Sequence, residues 1–383
     1  MHGFPRGKTA IVGAATFGVG ESPGFEAIDL AAHASLLALA DARLRPADVD
    51  ALFIAQPQDT LAGLTFSEYL GIQPTITDNN RSGGSAFLLQ LEHAALALAA
   101  GLCDVALIAY GSNQATASGA LVQTSRPSPR EVPYKPLRPI SSYALAAARH
   151  MHQYGTTKRQ LAEVAVAARR WAQLNPEAVA REALTLDAVV NARMVSDPLG
   201  VRDCCLVTDG AAAVVLTRAD RAADRHARPS YVLGTAAAVT HADIASMPDL
   251  TVTGAVQSGQ RAYAQAGVTA ADIDVVQVYD AFTINTILFL EDLGFCAQGE
   301  GGAFVEGGRI GPGGALPVNT SGGGLSYCHP GMFGLFTLVE SVRQLRGEAG
   351  ERQVRGAELA LAHANGGVLS SQATAILGTA ATL

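Results

Sequence analysis

The chain has 383 residues, 49% hydrophobic and 16% charged, so it can fold around a large core as two domains or one duplicated domain. Its formal net charge is −7 and no basic run exceeds a pair, which argues against nucleic acid as a partner. Five cysteines without a CxxC spacing are typical of reduced thiols in an intracellular protein and form no metal-binding pattern, so we expect a cytoplasmic protein.

The first half of the chain begins with an apolar segment, residues 1–18, that has no signal-peptide core with a cleavage site. We interpret it as a first strand that ends in a glycine turn. The longest apolar stretch, residues 86–110, is interrupted by Glu92, His93 and Asp104. This pattern predicts a buried helix followed by a strand, and no membrane span.

Two pairs of segments recur in the same order along the chain. Members of the first pair each contain an alanine-rich helix, a turn, an Asp-x-Asp and an apolar strand, and members of the second pair each run from a loop through a helix to a strand and glycine. The recurrence predicts layered sheets covered by helices and built from two similar halves. The matched segments are 36–56 with 259–280, which align Asp48 with Asp272 and Asp50 with Asp274, and 82–112 with 329–367.

A segment of different composition separates the two halves. Residues 124–140 contain five prolines and four basic residues, which predicts an extended, solvated loop. Two helices should follow, over 141–155 and 156–178, with His150 and His152 on the surface and a Thr157/Gln160 capping box opening the second helix. Such an insert could cover a site, and its basic residues could meet phosphates, although a solvated face is the more common reading.

These patterns divide the chain into four ranges. Residues 1–115 form the first part of the N-terminal half, 116–200 the helical insert, 201–230 the last strands of the N-terminal half, and 231–383 the C-terminal half.

Four local motifs support a resemblance that covers essentially the whole chain. "GGGLSYCHPG" (322–331) is similar to a glycine-rich GHP loop, "VYDAFT" (278–283) to an Asn-Glu-Ala-Phe loop, and "HANGGVLSS" (363–371) to a C-terminal cysteine-glycine loop. "RDCCLVTDGAAAVVL" (202–216) adds a fourth match. Together they resemble the thiolase superfamily, in its sterol-carrier or lipid-transfer-protein branch.

The resemblance implies a five-layered αβαβα fold of two halves with a helical insert (loop domain), a homodimer, and an acyl-CoA substrate. Backbone amides at helix N-termini and in glycine loops would stabilise a negatively charged thioester oxygen. The family pattern places Gly83 and Gly323 among these donors.

The nucleophilic cysteine of the family is missing from this chain. In "DNNRSGGSAF" (78–87), matching the family pattern puts Asn80 at the cysteine position, and an amide cannot carry an acyl group. The second catalytic cysteine falls at about His363, where a one-residue slip is open, and Asn365 is a further site residue. Ping-pong acyl transfer by the usual route is therefore not expected.

Proton-transfer groups are present in place of the thiols. Tyr279 stands at the Asn or His position of its loop, Tyr327 lies two residues before the retained His329, and Asp280 is a supporting residue. Two phenols beside an enolate-stabilising pocket can act as acid and base once their pKa values are tuned. The sequence does not say which tyrosine is acid and which is base.

This combination resembles the thiolase-like aldolases of bacterial steroid side-chain degradation, which lack the cysteine and use tyrosines. It implies retro-aldol cleavage of a 3-hydroxyacyl-CoA to a ketone and a shortened acyl-CoA. The resemblance implies no cofactor and no metal on this chain. It also implies a possible heterotetramer with a small OB-fold and zinc-ribbon protein, which would carry any zinc.

The sequence leaves two other functions open. Cys328 abuts the presumed pocket and would serve an acyltransferase or condensing enzyme as a relocated nucleophile, if its surroundings were electropositive. The chain could instead be a non-catalytic scaffold subunit that stabilises an active partner.

Overall fold

The computed structural model describes residues 3–56, 59–117, 129 and 131–383. The strands are β1 (Thr9–Gly20), β2 (Ala51–Ile54), β3 (Ile76–Asp78), β4 (Val105–Ser112), β5 (Met194–Ser196), β6 (Leu199–Gly200), β7 (Asp209–Arg218), β8 (Ser230–Val239), β9 (Val275–Val278), β10 (Leu359–Gly366) and β11 (Ser371–Gly378). The helices are α1 (Ala27–Asp41), α2 (Ala62–Leu70), α3 (Ala86–Ala99), α4 (Gln114–Ala117), α5 (Ile140–Tyr154), α6 (Lys158–Gln173), α7 (Leu186–Val190), α8 (Ala219–Arg225), α9 (Ala255–Ala266), α10 (Thr283–Asp292), α11 (Gly301–Phe304) and α12 (Gly334–Arg346).

Nine strands form one mixed sheet in the order β3-β2-β4-β7-β1-β8-β11-β10-β9. Its two halves join where β1 pairs with β8 at only two positions, Ala10 with Tyr231 and Ile11 with Ser230. Helices α3 and α12 contact strands of both halves, whereas α1 contacts β1, β4 and β7, and α9 contacts β8 and β11. The central helices are therefore enclosed by sheet on two sides, which is why α3 is apolar around most of its circumference. The predicted five-layered αβαβα fold is confirmed.

The second half repeats the first in detail. Asp50 accepts the two backbone amides at the start of β4, at 2.8 Å each, and Asp274 accepts the equivalent amides at the start of β10, at 2.9 Å each. Asp48 and Asp272 each cap the 3-10 turn just before these residues. In the first half β3 runs parallel to β2, and in the second half Val318 makes a parallel bridge to β9. The aligned aspartates therefore make equivalent hydrogen bonds in both halves.

The insert between β4 and β7 contains α5, α6 and α7, as well as the small β5–β6 ribbon. The predicted capping box is confirmed, since the Thr157 hydroxyl accepts the Gln160 amide at 3.2 Å and the Gln160 side chain accepts the Thr157 amide at 2.9 Å. Residues 118–128 and 130 lie outside the described residues, so the predicted solvated loop falls partly outside them. Among the described residues, none of the helices combines the length and the hydropathy that a membrane span requires.

The insert is anchored to the second half through a histidine whose predicted location was wrong. His150 is fully buried, whereas its neighbour His152 is exposed as expected. Nε2 of His150 lies 3.1 Å from both carboxylate oxygens of Glu291 on α10, and Nδ1 lies 2.8 Å from the Thr156 hydroxyl. A charged partner on another helix, which sequence spacing does not reveal, makes burial of this polar ring tolerable.

Candidate active site

A cavity of about 450 Å³ lies where the loop before α3 meets the carboxyl ends of β9 and β10. We call it the central cavity. Two larger cavities, of about 930 and 550 Å³, contain none of the residues predicted for the site. The central cavity is lined by Arg81, Ser82, Gly83, Gly84, Pro139, Tyr143, Cys205, Val239, His241, Ala242, Tyr279, Ala281, Phe282, His329, Gly331, Met332, Asn365, Gly366, Gly367, Val368, Ser370 and Ser371.

Tyr279 and His329 meet in the central cavity. Nε2 of His329 lies 3.0 Å from the Tyr279 hydroxyl, and the two rings pack edge to face. Burial raises the pKa of Tyr279 well above its ordinary value. Burial also lowers the pKa of His329 to about 4, so the imidazole is neutral near pH 7. A neutral imidazole can donate or accept along this bond, so it can orient the Tyr279 hydroxyl in the cavity.

Glycines bring the loop before α3 against the rest of the site. A Cβ at Gly84 would overlap the Tyr279 ring, and a Cβ at Gly83, where φ is +81°, would lie 2.9 Å from the Gly367 amide nitrogen. Gly83 and Gly84 begin a 3-10 turn that continues into α3, so their amides have no acceptor within the helix. Two such amides at the positive end of a helix dipole can bind a negatively charged oxygen.

Asn80 stabilises this loop and does not line the cavity. Its Oδ1 accepts a hydrogen bond from the backbone amide of Ser82 at 2.9 Å, and the backbone amide of Asn80 donates to Oδ1 of Asp78 at 2.9 Å. At the position predicted to match the family's cysteine, the side chain therefore shapes the turn that presents Gly83. No acyl carrier occupies this position.

The glycine-rich loop does not supply the oxyanion donors predicted for it. The amide of Gly322 donates to the Asn319 carbonyl at 2.8 Å, and that of Gly323 to the Ser321 hydroxyl at 3.3 Å. The amide of Gly324 donates to Asp280 at 2.6 Å. Gly323 is therefore a structural glycine: its φ is +61°, and any Cβ would overlap the Asp280 carboxylate.

Asp280 is fully buried, and its carboxylate accepts hydrogen bonds from the glycine-rich loop. Besides the Gly324 amide it accepts the amide of Leu325 at 3.4 Å. Burial raises the pKa of Asp280 to about 7, and the hydrogen bonds to its carboxylate oppose that rise. Its supporting role is in loop geometry, since it does not line the central cavity.

Tyr327 is buried but points away from the central cavity. Its hydroxyl donates to Glu177 at 2.9 Å, and the same carboxylate pairs with Arg343 at 2.9 Å. The positive φ of Gly322 and Gly323 turns the chain so that residues 323–327 form a π-helical turn. The structure therefore does not bring Tyr327 together with Tyr279, and we assign Tyr327 a structural role.

A second phenol does reach the cavity, from a residue that sequence reasoning missed. Tyr143 on α5 packs its ring on Phe282 at 4.4 Å between centroids and donates its hydroxyl to the Gly367 carbonyl at 3.1 Å. Asn365, which was predicted as a site residue, donates to the Tyr143 oxygen at 2.9 Å. Burial raises the pKa of Tyr143 to about 12. The one available signal was a single aromatic residue within the small-residue helix "SSYALAAA" of the insert.

His363 is a core residue and does not line the cavity. Its Nδ1 lies 2.9 Å from the Thr374 hydroxyl and its Nε2 lies 3.0 Å from Oε1 of Gln372. Burial lowers its pKa to about 3. On the same strand, Asn365 is the residue that reaches the cavity.

The thiols near the site have the wrong environment for a nucleophile. Cys328 is fully buried and does not line the cavity, whereas Cys205 does. Burial raises the pKa of both thiols well above the ordinary value, and the negative charge of Asp280 raises it further. A reactive cysteine needs a positive environment that favours the thiolate. Within the described residues no cluster of His, Cys, Asp and Glu suited to a metal ion is found.

Known proteins are similar to this chain along nearly its whole length. Residues 236–379 match a family model described as "Thiolase C-terminal domain-like". The chain is 36% identical to the acetyl-CoA acetyltransferase of Methanothermobacter thermautotrophicus, over 94% of this chain and 96% of the relative. It is 34% identical to the 17-hydroxy-3-oxo-4-pregnene-20-carboxyl-CoA lyase of Mycobacterium tuberculosis, over 95% of this chain and 98% of that relative. The solved structure "Ltp2-ChsH2(DUF35) aldolase" superposes with a TM-score of 0.89 at 32% identity, over 98% of each chain.

Proposed function

The chain belongs to the thiolase superfamily, in its branch of thiolase-like aldolases, and from this membership we propose that it cleaves the Cα–Cβ bond of a 3-hydroxyacyl-CoA by a retro-aldol reaction. The observation that carries the proposal is the composition of the central cavity. It holds two phenols and a neutral imidazole, and its one thiol is held protonated. Such a site exchanges protons with a substrate more readily than it forms an acyl-enzyme.

The reaction needs one base, one acid and an oxyanion site. A base removes the proton of the β-hydroxyl, the Cα–Cβ bond breaks, and its electron pair passes into the thioester to form an enolate. The β-carbon leaves as a ketone or aldehyde. An acid then protonates Cα, which gives the shortened acyl-CoA and balances the proton first removed.

Tyr279 and Tyr143 supply the acid and the base between them. Tyr279 is coupled to His329 at 3.0 Å, which offers a neighbouring acceptor or donor for its proton. Tyr143 receives a hydrogen bond from Asn365, which stabilises its phenolate. The amides of Gly83 and Gly84 bind the enolate oxygen at the N-terminal end of α3.

The substrate carries a bulky apolar group on its β-carbon. Phe282, Met332 and Val239 provide apolar walls to the cavity, and relatives of this chain are named for steroid substrates. We propose a steroid side chain as this group. The match to an aldolase whose name joins Ltp2 with ChsH2(DUF35) supports the further proposal that this chain pairs with a second protein.

The test is incubation of the chain with 3-hydroxyacyl-CoA esters that have bulky or linear β-substituents, with and without the partner protein. We expect a ketone and a shortened acyl-CoA in equal amounts, identified by mass spectrometry, with the bulky substrate preferred. Exchange of the acyl group between CoA and labelled CoA, without ketone release, would contradict the proposal.

Acyl transfer is the second candidate, because the acetyl-CoA acetyltransferase noted above is 36% identical and Cys205 lies in the cavity. It would require a thiolate at a position where burial and negative neighbours oppose one. Condensation of two acetyl-CoA molecules by the purified chain would support it over the aldolase reaction.

A further inference from the structure

A continuous chain of polar side chains crosses the core from α9 to the central cavity. Hydrogen bonds of 2.8 to 3.0 Å join each neighbouring pair. Every member is at most 3% exposed, and none has a buried polar atom without a partner. We call it the polar relay. Its members, from the outer helix inward, are Ser258, Thr374, His363, Gln372, Asn365 and Tyr143.

The direction of the relay follows from its inner end. The single hydroxyl proton of Tyr143 is donated to the Gly367 carbonyl, so the phenol oxygen must accept from Asn365. The Asn365 amide is then oriented with its oxygen toward Gln372, which donates to it at 2.8 Å. The oxygen of Gln372 therefore faces His363 and accepts from it.

The outer end of the relay has a fixed direction at His363 and Thr374. Because Nε2 of His363 carries the proton, Nδ1 is a lone pair that accepts from the Thr374 hydroxyl at 2.9 Å. Ser258 lies 2.8 Å from the same hydroxyl and can donate to it. The hydrogen bonds from Thr374 inward therefore point the same way, toward the phenol oxygen. Bonds aligned in this manner polarise one another and strengthen the last donor.

From this geometry we propose that His363 and Gln372 are positioning residues, which hold the Asn365 amide on the Tyr143 oxygen and so stabilise the Tyr143 phenolate for proton transfer. The inference rests on the proposed function. It explains why polar side chains occupy β10 and β11 in a core otherwise built from alanine, leucine and isoleucine. Five titratable or charged side chains line the cavity beside Tyr143: Arg81, Cys205, His241, Tyr279 and His329. Besides burial, Cys205 raises the pKa of Tyr143, and Tyr143 in turn raises that of Tyr279. Hydrogen bonds from Asn365, the Leu369 backbone and Asn285 each lower the pKa of Tyr143, and the relay orients the first and largest of these.

The first test measures ionisation at position 143 directly. A fluorinated tyrosine, whose phenol ionises near neutral pH, is incorporated at position 143 in the full chain and titrated by absorbance and fluorine NMR. In a Gln372→Met background, which removes the donor that holds the Asn365 amide on the Tyr143 oxygen, the phenol pKa should rise by about one to two units, the amount expected when the charge-assisted bond from Asn365 to the phenolate is lost. Gln90→Met is the matched control, since Gln90 is equally buried but bonds the Ile54 carbonyl outside the relay. Equal pKa values in both backgrounds would overturn the proposal.

The second test needs no substitution, so it stands even where Gln372→Met does not fold. Nitrogen NMR of the native protein reports which ring nitrogen of His363 carries the proton. We expect the proton on Nε2, and a proton on Nδ1 would reverse the relay and overturn the inference. Neither test uses substrate. If both tests give the expected result but the chain forms no ketone, the proposed reaction is wrong. If the chain cleaves its substrate but Gln372→Met leaves the phenol pKa unchanged, the relay is wrong.

Discussion

Replacing Tyr279 by phenylalanine tests the proposed chemistry at its centre. The change removes one hydroxyl and keeps the ring that packs against His329 and Phe333. If Tyr279 transfers a proton, kcat for ketone formation should fall by about 10² to 10⁴, the usual contribution of one acid–base group. KM should change little, because the hydroxyl bonds to His329 in the free protein.

The structure also sets the expected loss of stability. The Tyr279 hydroxyl is the hydrogen-bond partner of Nε2 of His329 at 3.0 Å, and that ring is buried. Nδ1 of His329 has no hydrogen-bond partner among the described residues, so the ring would lose its one side-chain contact of this kind. An unsatisfied buried donor or acceptor costs about 1–3 kcal/mol, which we expect for Tyr279→Phe in urea unfolding.

Tyr327→Phe is the matched control for this prediction. Its hydroxyl bonds Glu177, whose side chain is 43% exposed and keeps its pairing with Arg343. We expect a loss of about 1 kcal/mol in stability and a kcat close to that of the unmodified chain. The assay is steady-state release of ketone from a 3-hydroxyacyl-CoA, alongside urea unfolding of each variant. Equal losses of kcat in the two variants, or none in Tyr279→Phe, would refute the assignment.

Three further predictions concern thiols, backbone and charge. Cys205→Ser and Cys328→Ser should each retain turnover, and intact mass after incubation with acyl-CoA should show no adduct; a stable adduct would favour acyl transfer instead. Gly323→Ala should lower the free energy of unfolding by more than about 2 kcal/mol, because its Cβ would overlap Asp280. Gly313→Ala is the control: its φ is +78° but the space around it is open, so the change should cost about 1 kcal/mol. Equal urea midpoints for the two variants would contradict this prediction. Burial raises the pKa of Asp280 from its ordinary 3.8 to about 7, so the folded state holds this proton more tightly and stability falls as pH rises from about 4 to 7. Asp280→Asn should remove this loss, so the free energy of unfolding of the variant minus that of the unmodified chain should be higher at pH 8 than at pH 5. If this difference is independent of pH, Asp280 does not titrate in this range.

The repeated architecture could be predicted because its signals are local. Asp50 and Asp274 each sit just before an apolar strand, and each carboxylate accepts two amides of the strand that lies beside it. The same applies to the Thr157 and Gln160 capping box, which needs only three residues of spacing. Short-range hydrogen bonds and hydrophobic periodicity are visible in a sequence, so the layered sheets and the two similar halves followed from them, whereas the five-layered arrangement was implied by the motif resemblance.

The catalytic loops are a mixed case. Motif resemblance located Tyr279 and His329, and the structure brings these two together at 3.0 Å. It placed Tyr327 in the same loop as His329 but could not give the direction of its side chain. That direction depends on the positive φ of Gly322 and Gly323, and spacing along a glycine-rich loop does not determine it.

The amino-acid sequence by itself determined the family, the duplicated fold and the absence of cysteine from position 80. Only the tertiary structure decided which side chains share the cavity. Tyr143 and Asn365 are separated by 222 residues and come from the insert and from a core strand, yet they lie 2.9 Å apart. Contacts between such distant segments depend on how layers pack on one another, and no local pattern of residues encodes that packing.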